Sequence, residues 1–247
     1  MCGAEFPDDT ERCPEDASLL EDAAPYAGRT VGSYELTRCL GRGGMGAVYE
    51  GVHKTMGSKV AVKFLHQRFS ADRGIVDRFF NEARAVNLIG HDNIVHVSDF
   101  AWLEDGSPYF VMEFLEGRPL TALCGAPQPL EVVGPVVLQM ADALQAAHEA
   151  GIIHRDLKPD NVFLCVRNRR TDVVKIVDFG IAKLQQDPVA QGRTQTGAVM
   201  GTGPYMSPEQ AGGDTRGVGP ASDVYSMGVI LFLLATGRLP FEGGFGE

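Results

Sequence analysis

Positive charge is scarce in this chain. Against 32 Asp and Glu there are 22 Lys and Arg, giving a formal net charge of −10 and a pI near 5.1. A nucleic-acid surface needs a basic face, so that class of partner is excluded. Cysteine is sparse as well: five residues, at positions 2, 13, 39, 124 and 165, odd in number and scattered. That spacing excludes a disulfide framework and fits a reducing, cytoplasmic setting. Long apolar runs are missing. The most apolar segment, Val224 to Ala235, is about half the ~20 residues that a bilayer span requires, and it reads as a buried helix. No basic region followed by an apolar stretch opens the chain, so no secretory leader is expected. Repeats and low-complexity segments are not visible. With 44% apolar and 22% charged residues over 247 positions, the chain can bury a large core in one or two lobes.

What is present concentrates in one stretch. His154-Arg155-Asp156-Leu157-Lys158-Pro159-Asp160-Asn161 sets two acids, two cations and an amide between a helix-like run ending at Gly151 and the apolar Val162-Phe163-Leu164. Unpaired charge is costly in a core, so such density between apolar flanks calls for a purpose. Phosphoryl transfer supplies one: a carboxylate for the acceptor hydroxyl, a cation for the moving phosphoryl, an amide oxygen for Mg²⁺. Asp178-Phe179-Gly180 adds a second carboxylate downstream.

Upstream, Tyr34 to Leu40 alternates like a strand, Gly41-Arg42-Gly43-Gly44-Met45-Gly46 turns, and Ala47 to Val52 resumes the strand. The dinucleotide fingerprint shares this glycine spacing but opens a helix. Two β-rich flanks favour a hairpin lid whose backbone N–H groups can approach an anion without Cβ clashes. In the next strand, Lys59 to Leu65, alternation leaves the small Ala61 and Lys63 on one face. Ile75, Phe79, Ala83 and Val86 recur at three and four residues, the stripe of an amphipathic helix. Glu82 lies beside that stripe, where a carboxylate drawn inward wants a cation. Two strands follow, around Ile94 to Trp102 and Tyr109 to Met112. A strong helix then spans Val132 to Ala150, with Gly151 as its stop. The arginines between Val166 and Asp172 read as a solvated turn, and the polar stretch from Gln185 to Gly201 as a mobile loop.

Taken together, these motifs resemble the eukaryotic-like (Hanks-type) Ser/Thr protein kinases of bacteria, over residues 34 to 243. The resemblance implies an α+β, two-lobed fold, with a β-rich N-lobe over about 31–113 and a mainly helical C-lobe over 114–247. It implies ATP with Mg²⁺, or Mn²⁺, in the cleft. Leu40, Gly41, Arg42, Gly43, Gly44, Met45, Gly46 and Val48 would cover the nucleotide, with Ala61, Met112 as gatekeeper, and Phe163 around the adenine. Backbone groups of Glu113 and Leu115 would bond the base, which makes side-chain identity there weakly informative. Lys63, held by Glu82, would orient the α- and β-phosphates. Asp156 would take the hydroxyl proton, Lys158 would stabilise the transferred phosphate, and Asn161 and Asp178 would hold the metal. Thr202 would bond Asp156 and Lys158. Arg155, ahead of the catalytic aspartate, implies a loop ordered by phosphorylation, with Thr194 and Thr196 as autophosphorylation sites. Small-molecule kinases share the His-x-Asp-x-x-x-x-Asn run, but they lack the closing segment seen here from Gly201 to Glu209.

Both ends depart from the family. Residues 1 to 30 are acidic, and Cys2, Cys13 and Asp16 resemble part of a zinc ribbon lacking its fourth ligand. A flexible acidic leader with reduced thiols is the other reading. The family's last three helices would follow Glu247, so a fragment of a longer gene product is expected, with a membrane anchor only if such a region supplies one. Glu209 would lose its arginine partner, and the helix from Val224 to Ala235 would keep an uncovered face. The expected activity is transfer of the ATP γ-phosphate to Ser/Thr hydroxyls of proteins. The alternative is an impaired ATP-binding or scaffolding fragment. Asp223, at the start of that helix, can cap it or reach the catalytic loop.

Overall fold

The computed structural model describes residues 25–167, 169–179, 203–214 and 216–241. Six antiparallel strands form the first sheet: β1 (Thr30–Val31), β2 (Tyr34–Arg42), β3 (Gly46–His53), β4 (Lys59–Leu65), β5 (Val97–Trp102) and β6 (Pro108–Glu113), in the order β1-β2-β3-β4-β6-β5. The glycine run is the β2–β3 hairpin, as its flanks predict, with Gly43 N–H donating to Gly46 O at 2.8 Å. Gly46 is obligatory there, because a Cβ would meet Phe64 O at 1.9 Å.

The two-residue period of β4 divides the N-terminal lobe into two cores. Val62 and Phe64 join Leu36, Tyr49 and Tyr109 on the outer face, where Tyr26 stacks on Phe64 with centroids 4.3 Å apart. Ala61 and Leu65 face the other way, toward Phe79, Ala83 and Val86 of helix α1 (Arg73–Ile89). Helix α1 starts at Asp72, whose Oδ1 accepts Ile75 N–H at 3.1 Å, and stops at left-handed Gly90.

The second sheet is a small one of β7 (Gly117–Pro119), β8 (Val162–Arg167) and β9 (Arg170–Ile176). It packs with helix α2 (Leu130–Glu149), which buries Val133, Val136, Met140, Ala143, Leu144 and Ala147. The lobes are stitched together ahead of β5: Ile176 N–H donates to Asn93 O at 2.8 Å and Val95 N–H to Ile176 O at 3.0 Å. Asn93 Nδ2 adds bonds to Gln139 Oε1 at 3.1 Å and Val174 O at 2.8 Å.

After a short helix α3 (Pro208–Ala211) comes α4 (Pro220–Thr236), the apolar segment singled out above. It is buried along one side only. Val229, Ile230, Leu233 and Leu234 face the core, while Val224 is 55% exposed and Leu231 and Phe232 are also open to solvent. Its N-cap is Gly219, whose N–H donates to Ser222 Oγ at 3.2 Å, so capping does not fall to Asp223. Glu209 is met by a serine rather than an arginine. Its Oε1 accepts Ser222 Oγ–H at 2.5 Å, a bond that draws its pKa below the usual glutamate value. Among the described residues no helix is long and apolar enough to cross a membrane.

Candidate active site

Lys63 extends from the cleft face of β4, where alternation puts it, and α1 presents Glu82 to it. Its Nζ donates to Glu82 Oε1 at 3.1 Å and to Asp178 Oδ1 at 2.7 Å. Burial works against the Lys63 charge, yet Asp178 and Glu82 outweigh it and hold the pKa well above the usual lysine value. Burial acts on the acids too. It pushes Glu82 up to about 7, with Lys63 pulling the other way. Asp178 also feels burial, but the Lys63 ammonium wins and its pKa falls below the usual aspartate value. A single cation thus holds two carboxylates from distant segments at one point.

The stretch from His154 to Asn161 is held from beneath. Asp223 of α4 is 1% exposed; its Oδ2 accepts His154 N–H at 2.8 Å, its Oδ1 Arg155 N–H at 2.9 Å, and His148 Nε2 lies 2.7 Å from Oδ2. Buried backbone N–H groups need such acceptors, which is why a buried carboxylate belongs there. His154 packs its ring against Phe179, centroids 4.6 Å apart, and its Nε2 lies 3.1 Å from Val177 O. That contact joins the loop to the residues flanking Asp178. Arg155 and Asp178 both adopt positive φ, 66° and 54°. In non-glycine residues this is a strained conformation that persists only when surroundings over-determine it.

Within the loop, Asn161 Nδ2 donates to Asp156 O at 2.9 Å and reaches Asp156 Oδ2 at 3.4 Å. Spending the amide nitrogen on Asp156 leaves Asn161 Oδ1 as the oxygen available to a cation. Lys158 Nζ lies 3.7 Å from Asp156 Oδ2. Ala61 and Met112 are neighbours across the β4–β6 ladder, and Met45, Val48, Leu115 and Phe163 pack against the same apolar cluster. Leu40 does not join them and is 38% exposed, and Gly41, Arg42, Gly43 and Gly44 are open to solvent. Behind Met112 a small cavity is lined by Glu82, Val86, Phe110 and Asp178 among others. A larger one, about 420 Å³, lies outside the cleft between α1 and β5 and contains none of the predicted site residues.

Three predicted groups fall outside the described residues: the cysteines and aspartate at Cys2, Cys13 and Asp16, the loop threonines Thr194 and Thr196, and Thr202. Among the described residues no three His, Cys, Asp or Glu side chains gather to hold a metal. Two features escaped sequence reasoning. The Glu113 side chain, taken as weakly informative, accepts Lys175 Nζ–H at 2.5 Å and is also paired with Arg167. That pairing, with Arg170 on Asp172 at 3.1 Å, employs two arginines read as a solvated turn. The other is His148, whose link to Asp223 spans 75 positions and leaves no local signal. For Lys175 a signal existed: one lysine within Val173-Val174-Lys175-Ile176-Val177.

The family profile described as Protein kinase domain matches residues 34–246. The chain is 51% identical over 229 residues to the serine/threonine-protein kinase Pkn1 of Myxococcus xanthus, covering 93% of this chain and 32% of Pkn1. It is 41% identical over 228 residues to PknA of Mycobacterium tuberculosis, covering 89% of this chain and 51% of that protein. The chain therefore spans a third to a half of these relatives. The crystal structure of the Mycobacterium tuberculosis PknI kinase domain superposes with a TM-score of 0.64 at 28% identity, covering 87% of this chain and 79% of that one. The chain belongs to the protein kinase family, as a bacterial Hanks-type Ser/Thr kinase catalytic domain.

Proposed function

We propose that this domain transfers the γ-phosphate of ATP to Ser and Thr hydroxyls of proteins. The observation that carries the reading is Lys63 Nζ between Glu82 and Asp178, at 3.1 and 2.7 Å. An ammonium fixed by two acids has a defined position from which to orient α- and β-phosphates, and orientation is where this chemistry gains most of its rate. Asn161 Oδ1 and the Asp178 carboxylate suit Mg²⁺, a hard cation usually held by few protein oxygens plus phosphate. Bound there, Mg²⁺ would supply charge neutralisation for the phosphates. Asp156 accepts the proton of the attacking hydroxyl; the new O–P bond forms as the γ-phosphorus leaves the β-phosphate oxygen, giving phosphoprotein and ADP. Lys158, beside Asp156, meets the charge on the moving group.

Activation by loop phosphorylation, at Thr194 and Thr196, is part of the same proposal. Its support is Arg155, whose Nε is buried with no hydrogen-bond partner among the described residues. Burial lowers the Arg155 pKa and Asp223 acts against that, so an incoming phosphate would relieve an unfavourable setting. Radiolabelled ATP, protein and Mg²⁺ test both parts. Label should enter wild type, be lost in Asp156→Ala, and map to Thr194 or Thr196. Equal label in the two proteins would defeat the transfer reading and leave an ATP-binding domain.

A further inference from the structure

Lys175 lies on β9 three residues before Asp178 and is 3% exposed. A lysine so deep is rare unless its charge is paired. None of the transfer chemistry above employs it. Its Nζ donates to Glu113 Oε1 at 2.5 Å and to Ile94 O at 3.0 Å. Glu113 closes the arrangement: Oε1 also accepts His96 N–H at 2.9 Å, while Glu113 N–H donates to His96 O at 3.0 Å. Oε2 takes the half-exposed guanidinium of Arg167. One ammonium therefore ties together the segment after α1, the last residue of β6, and the strand leading to Asp178.

Glu113 is where the chain leaves β6 for the C-terminal lobe, and its neighbour Met112 sits beside Ala61. A carboxylate held by three donors cannot rotate freely, and its backbone is held with it through the Glu113 N–H bond to His96 O. We propose that Lys175 is a positioning residue for the nucleotide. By fixing the Glu113 side chain it sets the backbone from Glu113 to Leu115 at the height an adenine ring requires. The inference rests on reading the cleft as the ATP site. A purely structural lysine would change the melting temperature and leave the affinity of folded protein untouched.

Titration of a fluorescent, non-hydrolysable ATP analogue with Mg²⁺, beside steady-state kinetics, separates the possibilities. Lys175→Met should weaken analogue binding about tenfold, the scale of one charge-assisted hydrogen bond. The KM for ATP should rise in step while kcat stays within about twofold, the signature of lost uniform binding. Lys175→Arg should recover most of the affinity, and Arg167→Ala, at the exposed side, should change it little. Folded Lys175→Met that binds as tightly as wild type would overturn the proposal. Should that variant not fold, Glu113→Gln keeps the shape and removes the charge Lys175 holds, and unchanged affinity there overturns it equally. Wild type without affinity for the analogue would fail the ATP reading itself, and this inference with it.

Discussion

Lys63 and Arg155 keep contrasting company. Lys63 has two carboxylates within 3.1 Å, one from each lobe. Arg155 has its backbone N–H on Asp223 and its carbonyl on Gln210 Nε2 at 2.8 Å, yet its Nε meets nothing among the described residues. At Lys63 the charges are paired within the protein. At Arg155 the backbone is fixed and the buried Nε is left without a hydrogen-bond partner among the described residues. Under the proposed function, such a division suits a nucleotide site assembled in advance and a substrate side that depends on a modification.

The largest effect is expected at Lys63. Lys63→Met removes the cation and leaves Glu82 and Asp178 facing each other; kcat/KM for peptide phosphorylation should drop about 10²–10³-fold, the usual cost of one preorganised electrostatic group. Next, Arg155→Gln should narrow the activity ratio of phosphorylated to phosphatase-treated protein from about tenfold toward one, as expected when a charge-assisted phosphate contact is lost. A ratio unchanged by that substitution would remove Arg155 from the activation step.

Glu82 titrates near pH 7 when folded, against a usual 4.5. A raised folded pKa contributes stability that is full below about pH 4.5 and is lost as pH climbs through about 7. Denaturant unfolding of wild type and Glu82→Gln between pH 5 and 8 should therefore move in favour of the glutamine variant as pH rises. The Lys63–Glu82 ion pair strengthens over the same range, so wild-type activity should climb across it more steeply than that of the variant. The smallest effect concerns the seat of α1. Asn87 Oδ1 accepts Val97 N–H at 3.0 Å and its Nδ2 donates to Val97 O at 2.6 Å, pinning the helix to β5 five residues past Glu82. Asn87→Ala should cost about 1–2 kcal/mol in unfolding free energy, two ordinary hydrogen bonds' worth.

Much of this was readable in the residues because local periods carry it. Ala61 and Lys63 share a face by strand alternation, Glu82 turns inward with an apolar helical stripe, and the glycines sit between strands. What escaped was the second layer of polar contacts. Asp223 meets residues 68 and 69 positions away, and Lys175 meets Glu113 across 62. No period links such partners; only the folded chain brings them together. Glu113 illustrates the point, since backbone pairing explains its place in β6 while its side chain serves a lysine on another strand.

Tyr26 lies eight residues before the first residue matched by the kinase-domain profile, stacked on Phe64, the neighbour of Lys63 in β4. Trimming the gene to the profile boundary would strip that ring, and Val31 with it, from the back of the strand that carries Lys63. Recombinant forms meant for kinetics should begin upstream of Tyr26, and fusion partners should join there rather than at Tyr34.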